Sequence, residues 1–117
     1  MASGFVEKRF EHVKVSQSFQ QMIGRFGLDK KKVMDLGCGF GEYLALFGPG
    51  SMGVTTTPEE VDYGKKRGLS IILGNVERIN MLGISKEFDA IWANNLFEHL
   101  LSPHAFLIKL KTVVRPD

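Results

Sequence analysis

Residues 35–41, Asp-Leu-Gly-Cys-Gly-Phe-Gly, carry the most specific chemical signal in the chain. Glycine at positions 37, 39 and 41 permits a tight turn and lets a ligand lie against bare backbone, and a helix opening directly behind it would add unpaired amide donors for an anion. The spacing does not suit a nicotinamide or flavin, because the G-x-G-x-x-G pattern meets Glu42 where its third small residue belongs. A phosphate-cradling P-loop is excluded as well, since no lysine followed by serine or threonine closes the loop. A glycine-rich turn that holds nothing is the plain alternative.

Other reactive groups are few. Cys38 is the single cysteine, so the chain can form neither an internal disulfide nor a thiolate zinc site. His12 and His104 sit within helical patterns and have no metal partner at ligand spacing, so no metal site is expected. Glu98 and His99 read as a surface pair before they read as a base, and no catalytic residue is assigned. Phe40 and Trp92 read as packing residues.

The glycine turn must be held by its neighbours, and the pattern of apolar runs says how. Val6, Phe10 and Val13, then Phe19, Met22, Ile23 and Phe26, follow helical spacing, which predicts one or two helices with Ser16 or Ser18 as a cap and Gly27 as a stop. From Val33 the texture changes to short apolar runs alternating with helical stretches, the mark of parallel strands crossed by helices. Strands are predicted at 33–36, 52–56, 70–73 and 88–93, with a helix at 41–47. Thr57, Pro58 and Glu60 predict a helix with a capping box, ended by Lys65, Lys66, Arg67 and Gly68. Residues 75–87 read as a loop with one helical turn, and Ser102 and Pro103 open a last helix behind a short one at 97–101.

At residues 33–44, VMDLGCGFGEYL, the chain resembles the class I S-adenosylmethionine-dependent methyltransferases, and the likeness continues in order through residues 52–68, 74–79 and 88–100. The resemblance implies an α/β fold: a Rossmann-like three-layer sandwich with a mostly parallel sheet in the order 3-2-1-4, whose chain reversal opens a crevice at the strand ends. It implies S-adenosylmethionine as cofactor, with Asp35 holding the glycine loop, the backbone of Gly37, Cys38 and Gly39 and the carbonyl of Ala93 or Asn94 at the amino-acid end, and Asn75 and Val76 at the adenine. The family commonly ends strand two with an acid for the ribose hydroxyls; Thr55 stands there, with Thr56 beside it, and a hydroxyl is a weaker acceptor than a carboxylate.

A chain of 117 residues with 44% hydrophobic and 24% charged residues has the composition of a single globular domain. Its apolar runs fall far short of the roughly 20 residues that span a bilayer, and no leader pattern opens it, so no membrane association and a cytoplasmic location are expected. Net charge is +2, concentrated in residues 1–32 with seven cations against three acids, which reads as a solvated face without a clear nucleic-acid surface. The resemblance implies residues 1–32 as a helical segment and 33–117 as a truncated core lacking the later strands. The expected function is methyl transfer, to a small-molecule acceptor ahead of a macromolecule. The competing reading is a non-catalytic cofactor-binding or assembly subunit that completes its sheet with a partner or, through the exposed edge of strand four, with another copy.

Overall fold

The computed structural model describes residues 2–84 and 88–93. The expected helices at 97–101 and after Ser102, together with Asn94, Glu98, His99 and His104, lie outside the described residues.

Two helices open the chain, α1 (Ala2–Val15) and α2 (Gln17–Phe26). Ser16 separates them; its hydroxyl accepts from the Phe19 amide at 3.4 Å, and Gly27 ends α2 at a left-handed φ of 64°. Four strands follow, β1 (Val33–Leu36), β2 (Met52–Thr55), β3 (Ile71–Leu73) and β4 (Ala90–Ala93), with α3 (Pro58–Lys66) crossing from β2 to β3. The sheet runs β3-β2-β1-β4 with every pairing parallel, as expected. Leu36 lies beside Val54 and Ala93, and Thr55 beside Leu73, so the carboxyl ends of all four strands share one edge.

β1 is buried along its whole length because both sheet faces are covered. Its alternate residues serve different layers: Val33 joins a cluster with Val13, Phe19, Leu28 and Phe47, while Met34 and Leu36 pack with Val54, Ile79 and Phe88. Phe19 anchors the first layer, its ring 4.8 Å from Tyr43 and 5.2 Å from Trp92, so Trp92 packs as its strand position predicts. Truncating a buried aromatic of this kind costs about 3–5 kcal/mol.

The helix expected at 41–47 does not form. Gly41 takes a left-handed φ of 94°, and the Gly48 amide is drawn to the Leu28 carbonyl at 3.0 Å, which leaves room for one 3₁₀ turn, Leu44–Leu46. The anion site expected from a helix start behind the glycine loop is therefore not built. Residues 75–84 do carry a short 3₁₀ segment, Val76–Met81, that covers the second sheet face.

α1 lies across the carboxyl edge and is fastened to α3. Tyr63 Oη and Arg67 Nη1 both donate to Glu7 Oε1, at 2.6 and 2.8 Å, and the Arg67 guanidinium stands 3.7 Å from the Phe10 ring centre. Val6, Phe10 and Val13 form its buried stripe, as their spacing predicts. No helix among the described residues is long and apolar enough to cross a membrane.

Candidate ligand-binding cleft

The glycine loop leaves β1 at Asp35 and turns through Gly37, Gly39 and Gly41, with φ of 69°, 61° and 94°, a region that favours glycine. The amides of Gly37 and Cys38 both donate to the Val54 carbonyl, at 2.9 and 3.1 Å. The amides of Gly37 and Cys38 are thus engaged within the sheet, and what the loop presents at Gly37 and Gly39 is bare backbone open to close approach. Cys38 is turned into the core, where burial pushes its thiol far above the usual range. A Cβ on Gly39 would stand 2.9 Å from Glu42 Oε1, the end of a side chain that can shift, so the position is restricted chiefly by its left-handed φ of 61°.

Gly37 and Gly39 form a ridge with a cavity on each side. The larger, about 570 Å³, lies under α1 and takes in Phe5, Arg9, His12, Asp35, Glu42 and Tyr43. Its floor is acidic: Asp35 is 2% exposed and Glu42 5%, and neither Asp35 Oδ2 nor Glu42 Oε2 has a hydrogen-bond partner. Burial, reinforced by the Glu42 charge, holds the Asp35 carboxyl well above the ordinary range. Burial raises Glu42 too, and Arg9, whose Nη2 donates to Glu42 Oε1 at 3.3 Å, opposes that shift.

The smaller cavity, about 300 Å³, is walled by Thr55, Thr56, Glu60, Asn75 and Val76. Here the polar groups are occupied. Thr55 Oγ1 donates to Glu60 Oε1 at 2.5 Å and accepts from the Thr57 amide at 3.2 Å, while Asn75 Oδ1 accepts from the Glu77 amide at 2.9 Å. The expected capping box on α3 is not made: Thr57 is the N-cap residue, but its side chain makes no capping bond, because Glu60 reaches Thr55 instead. A carboxylate consequently stands at the end of β2 although the strand itself ends in threonine.

Of the residues expected at the site, Asp35, Gly37 and Gly39 line the larger cavity, and Thr55, Thr56, Asn75 and Val76 join the two glycines at the smaller. Ala93 ends β4 beside Leu36 and belongs to neither wall. Arg9, Glu42 and Glu60 were not expected there. From sequence Glu60 reads only as part of a cap, Glu42 only as an obstacle to a dinucleotide, and Arg9 only as one of the seven cations of residues 1–32. Among the described residues no group of three or more His, Cys, Asp or Glu is placed to hold a metal ion.

A family model described as "Methyltransferase domain" matches residues 34–117. The chain belongs to this methyltransferase family. It is 32% identical over 99 residues to (S)-coclaurine N-methyltransferase of Papaver somniferum, covering 76% of this chain and 28% of that one. It is 29% identical over 110 residues to ubiquinone biosynthesis O-methyltransferase of Actinobacillus pleuropneumoniae, covering 84% of this chain and 46% of that one. The methyltransferase chain thus spans less than half the length of these curated relatives. A solved S-adenosylmethionine-dependent methyltransferase from Aquifex aeolicus superposes with a TM-score of 0.64 at 26% identity, over 83% of this chain and 58% of its own. S-adenosylmethionine is the cofactor that the family and this neighbour indicate for the methyltransferase domain.

Proposed function

We propose that this methyltransferase domain holds S-adenosylmethionine astride the 37–39 ridge and passes its methyl group to a small molecule. The observation that carries the reading is the division of one cleft by bare backbone into an acid-floored cavity and a hydroxyl- and amide-lined one. The residues present suit the two ends of such a ligand. Asp35 and the glycines would meet the amino-acid end, Thr55 with Glu60 the ribose hydroxyls, and Asn75 with the Val76 backbone the adenine. Glu60 offsets the weaker acceptor at Thr55, since a carboxylate hydrogen bond is stronger than a neutral one.

When bound, the cofactor supplies an electrophilic methyl group on a sulfonium sulfur. The chain's own contribution is alignment: the ridge fixes the approach and α1 covers the cavity beside it. A base is needed only for an acceptor that arrives protonated. The two curated relatives named above are an N- and an O-methyltransferase, which favours a small-molecule acceptor without choosing its atom.

Calorimetric titration with S-adenosylmethionine and S-adenosylhomocysteine tests this reading. Saturable heat at a single site per chain is expected. Absence of both heat and thermal shift at millimolar ligand overturns it.

A further inference from the structure

Beside its buried stripe, α1 turns a second one over the larger cavity: Phe5, Lys8, Arg9 and His12 stand at the three- and four-residue spacing of one helix face, and all four line it. Arg9 is held by Glu42 at 3.3 Å and by the rings of Phe5 and Phe40, whose centres each lie 6.0 Å from its guanidinium. Lys8 and His12 make no hydrogen bond or ion pair among the described residues, and Phe5 is 65% exposed. We propose that Phe5, Lys8 and His12 select the methyl acceptor, and that the acceptor they fit is an aromatic carboxylate. This rests on the cofactor reading above and adds the chemical class of the second substrate.

The cavity has room for a second reactant. Its volume, about 570 Å³, falls within the range of about 300–1,000 Å³ that small-molecule sites occupy. Gly37 and Gly39 wall it as they wall the smaller cavity, so an acceptor under α1 lies against a donor held astride the same ridge. Charge sets the acceptor's orientation. Asp35 and Glu42 are buried at the floor and turn an anion away, whereas Lys8 and His12 stand on α1 above them. A carboxylate on the acceptor therefore meets the Lys8 ammonium and the His12 ring N–H, in charge-assisted hydrogen bonds. The acids of α1 do not compete for that place: Glu7 is engaged by Tyr63 and Arg67, and Glu11 borders a neighbouring groove and does not line the cavity. An aromatic body suits the walls, since Phe5 offers an exposed ring and Tyr43 lines the same cavity.

Cinnamate, cinnamamide and cinnamylamine share one ring and differ in charge, and calorimetry on the whole chain saturated with S-adenosylhomocysteine compares them. Cinnamate should bind about tenfold more tightly than cinnamamide, and cinnamylamine no better than cinnamamide. The double variant Lys8→Met, His12→Ala should bring cinnamate to within about twofold of cinnamamide and leave S-adenosylhomocysteine within about twofold of its wild-type affinity. Both side chains are exposed, so this variant keeps its fold, which circular dichroism checks. Phe5→Ala should weaken cinnamate and cinnamamide alike, by about fivefold, and preserve their ratio. Cinnamate that binds no better than cinnamamide, or not at all, overturns the acceptor class and leaves the cofactor reading standing, as does a preference for cinnamylamine. A loss of S-adenosylhomocysteine affinity in the double variant assigns the two cations to the donor and overturns the proposal as well. Failure of the wild type to take up S-adenosylhomocysteine removes the cofactor reading and this proposal together.

Discussion

The two cavities beside the 37–39 ridge share the same strand ends and treat their polar atoms in opposite ways. Under α1, Asp35 and Glu42 are buried with oxygens left unmatched, and Arg9 reaches only one atom of the pair. Across the ridge, Thr55, Glu60 and Asn75 already bond to one another's neighbourhood at 2.5–3.2 Å. An unmatched buried polar atom costs about 1–3 kcal/mol, whereas a satisfied one contributes about 1 kcal/mol net. The first cavity therefore gives up stability that a hydrogen-bond donor placed there would restore, and the polar groups of the second are already bonded. A mutation on the acidic side should stabilise the free protein while harming binding; one on the other side should harm binding and also cost the free protein about 1 kcal/mol for each bond removed.

The ridge itself is the place to break the comparison altogether. Gly39→Val adds a branched side chain at a φ of 61° with Glu42 Oε1 only 2.9 Å from its Cβ, so both cavities should lose the ligand. A fall in S-adenosylhomocysteine affinity of at least about a hundredfold is expected by calorimetry, with the helical and strand signal in circular dichroism retained. The strain also lowers stability by about 1–2 kcal/mol.

Glu60→Ala probes the preorganised side. It removes the carboxylate from Thr55 Oγ1 and should weaken S-adenosylhomocysteine about tenfold. The same change should have little effect on an analogue lacking the ribose 2′-hydroxyl. Equal losses with both ligands would mean that Glu60 shapes the wall without touching the ribose.

Asp35→Asn probes the acidic side through stability. The folded carboxyl titrates well above its ordinary value of 3.8, because burial and then Glu42 disfavour its charge. Its neutral form lends stability that is complete below about pH 4 and is lost as pH rises through the folded value. The asparagine variant has no such loss, so thermal melts should show it more stable than wild type at pH 8 by a few degrees, with the gap closing near pH 4. A constant gap across that range would show that Asp35 is not the titrating group. The smallest effect is expected at Asn75→Ala, a two- to fivefold loss of nucleoside affinity from one neutral hydrogen bond, about 0.5–1 kcal/mol.

What was legible from sequence in this molecule is what short stretches of backbone decide. Val33–Leu36, the glycine turn and the boundaries of α3 all follow from residue type and spacing and stand where they are expected, and of the two serines offered as a cap the structure uses Ser16. The family resemblance rests on those segments taken in sequence, and it implies the order β3-β2-β1-β4 that the sheet has. The apolar pattern of 41–47 predicts a helix because it carries no trace of the Gly48 amide's bond to the Leu28 carbonyl, beside which only one 3₁₀ turn forms. The capping box expected at Thr57 fails for a related reason: the Thr57 amide that Glu60 would accept from donates to Thr55 Oγ1 instead, and Glu60 accepts from that same hydroxyl.

The candidate site divides along the same line. Asp35, Gly37, Gly39, Thr55, Thr56, Asn75 and Val76 are the positions that the family resemblance implies, and all seven line the two cavities because the matching motifs fall at or just after strand ends. Arg9 and Glu42, 33 residues apart, meet because α1 is held by its buried Val6, Phe10 and Val13 and by the bonds of Glu7 to Tyr63 and Arg67. By itself, then, the sequence determined where backbone turns, which strands run in parallel and which residues end them, since those depend on torsional preference and the alternation of apolar side chains. Only the tertiary structure decided which charges face one another in the cleft and which go unmatched. Electrostatic pairing depends on distance through space and on exclusion of water, and neither is written in the order of residues along the chain.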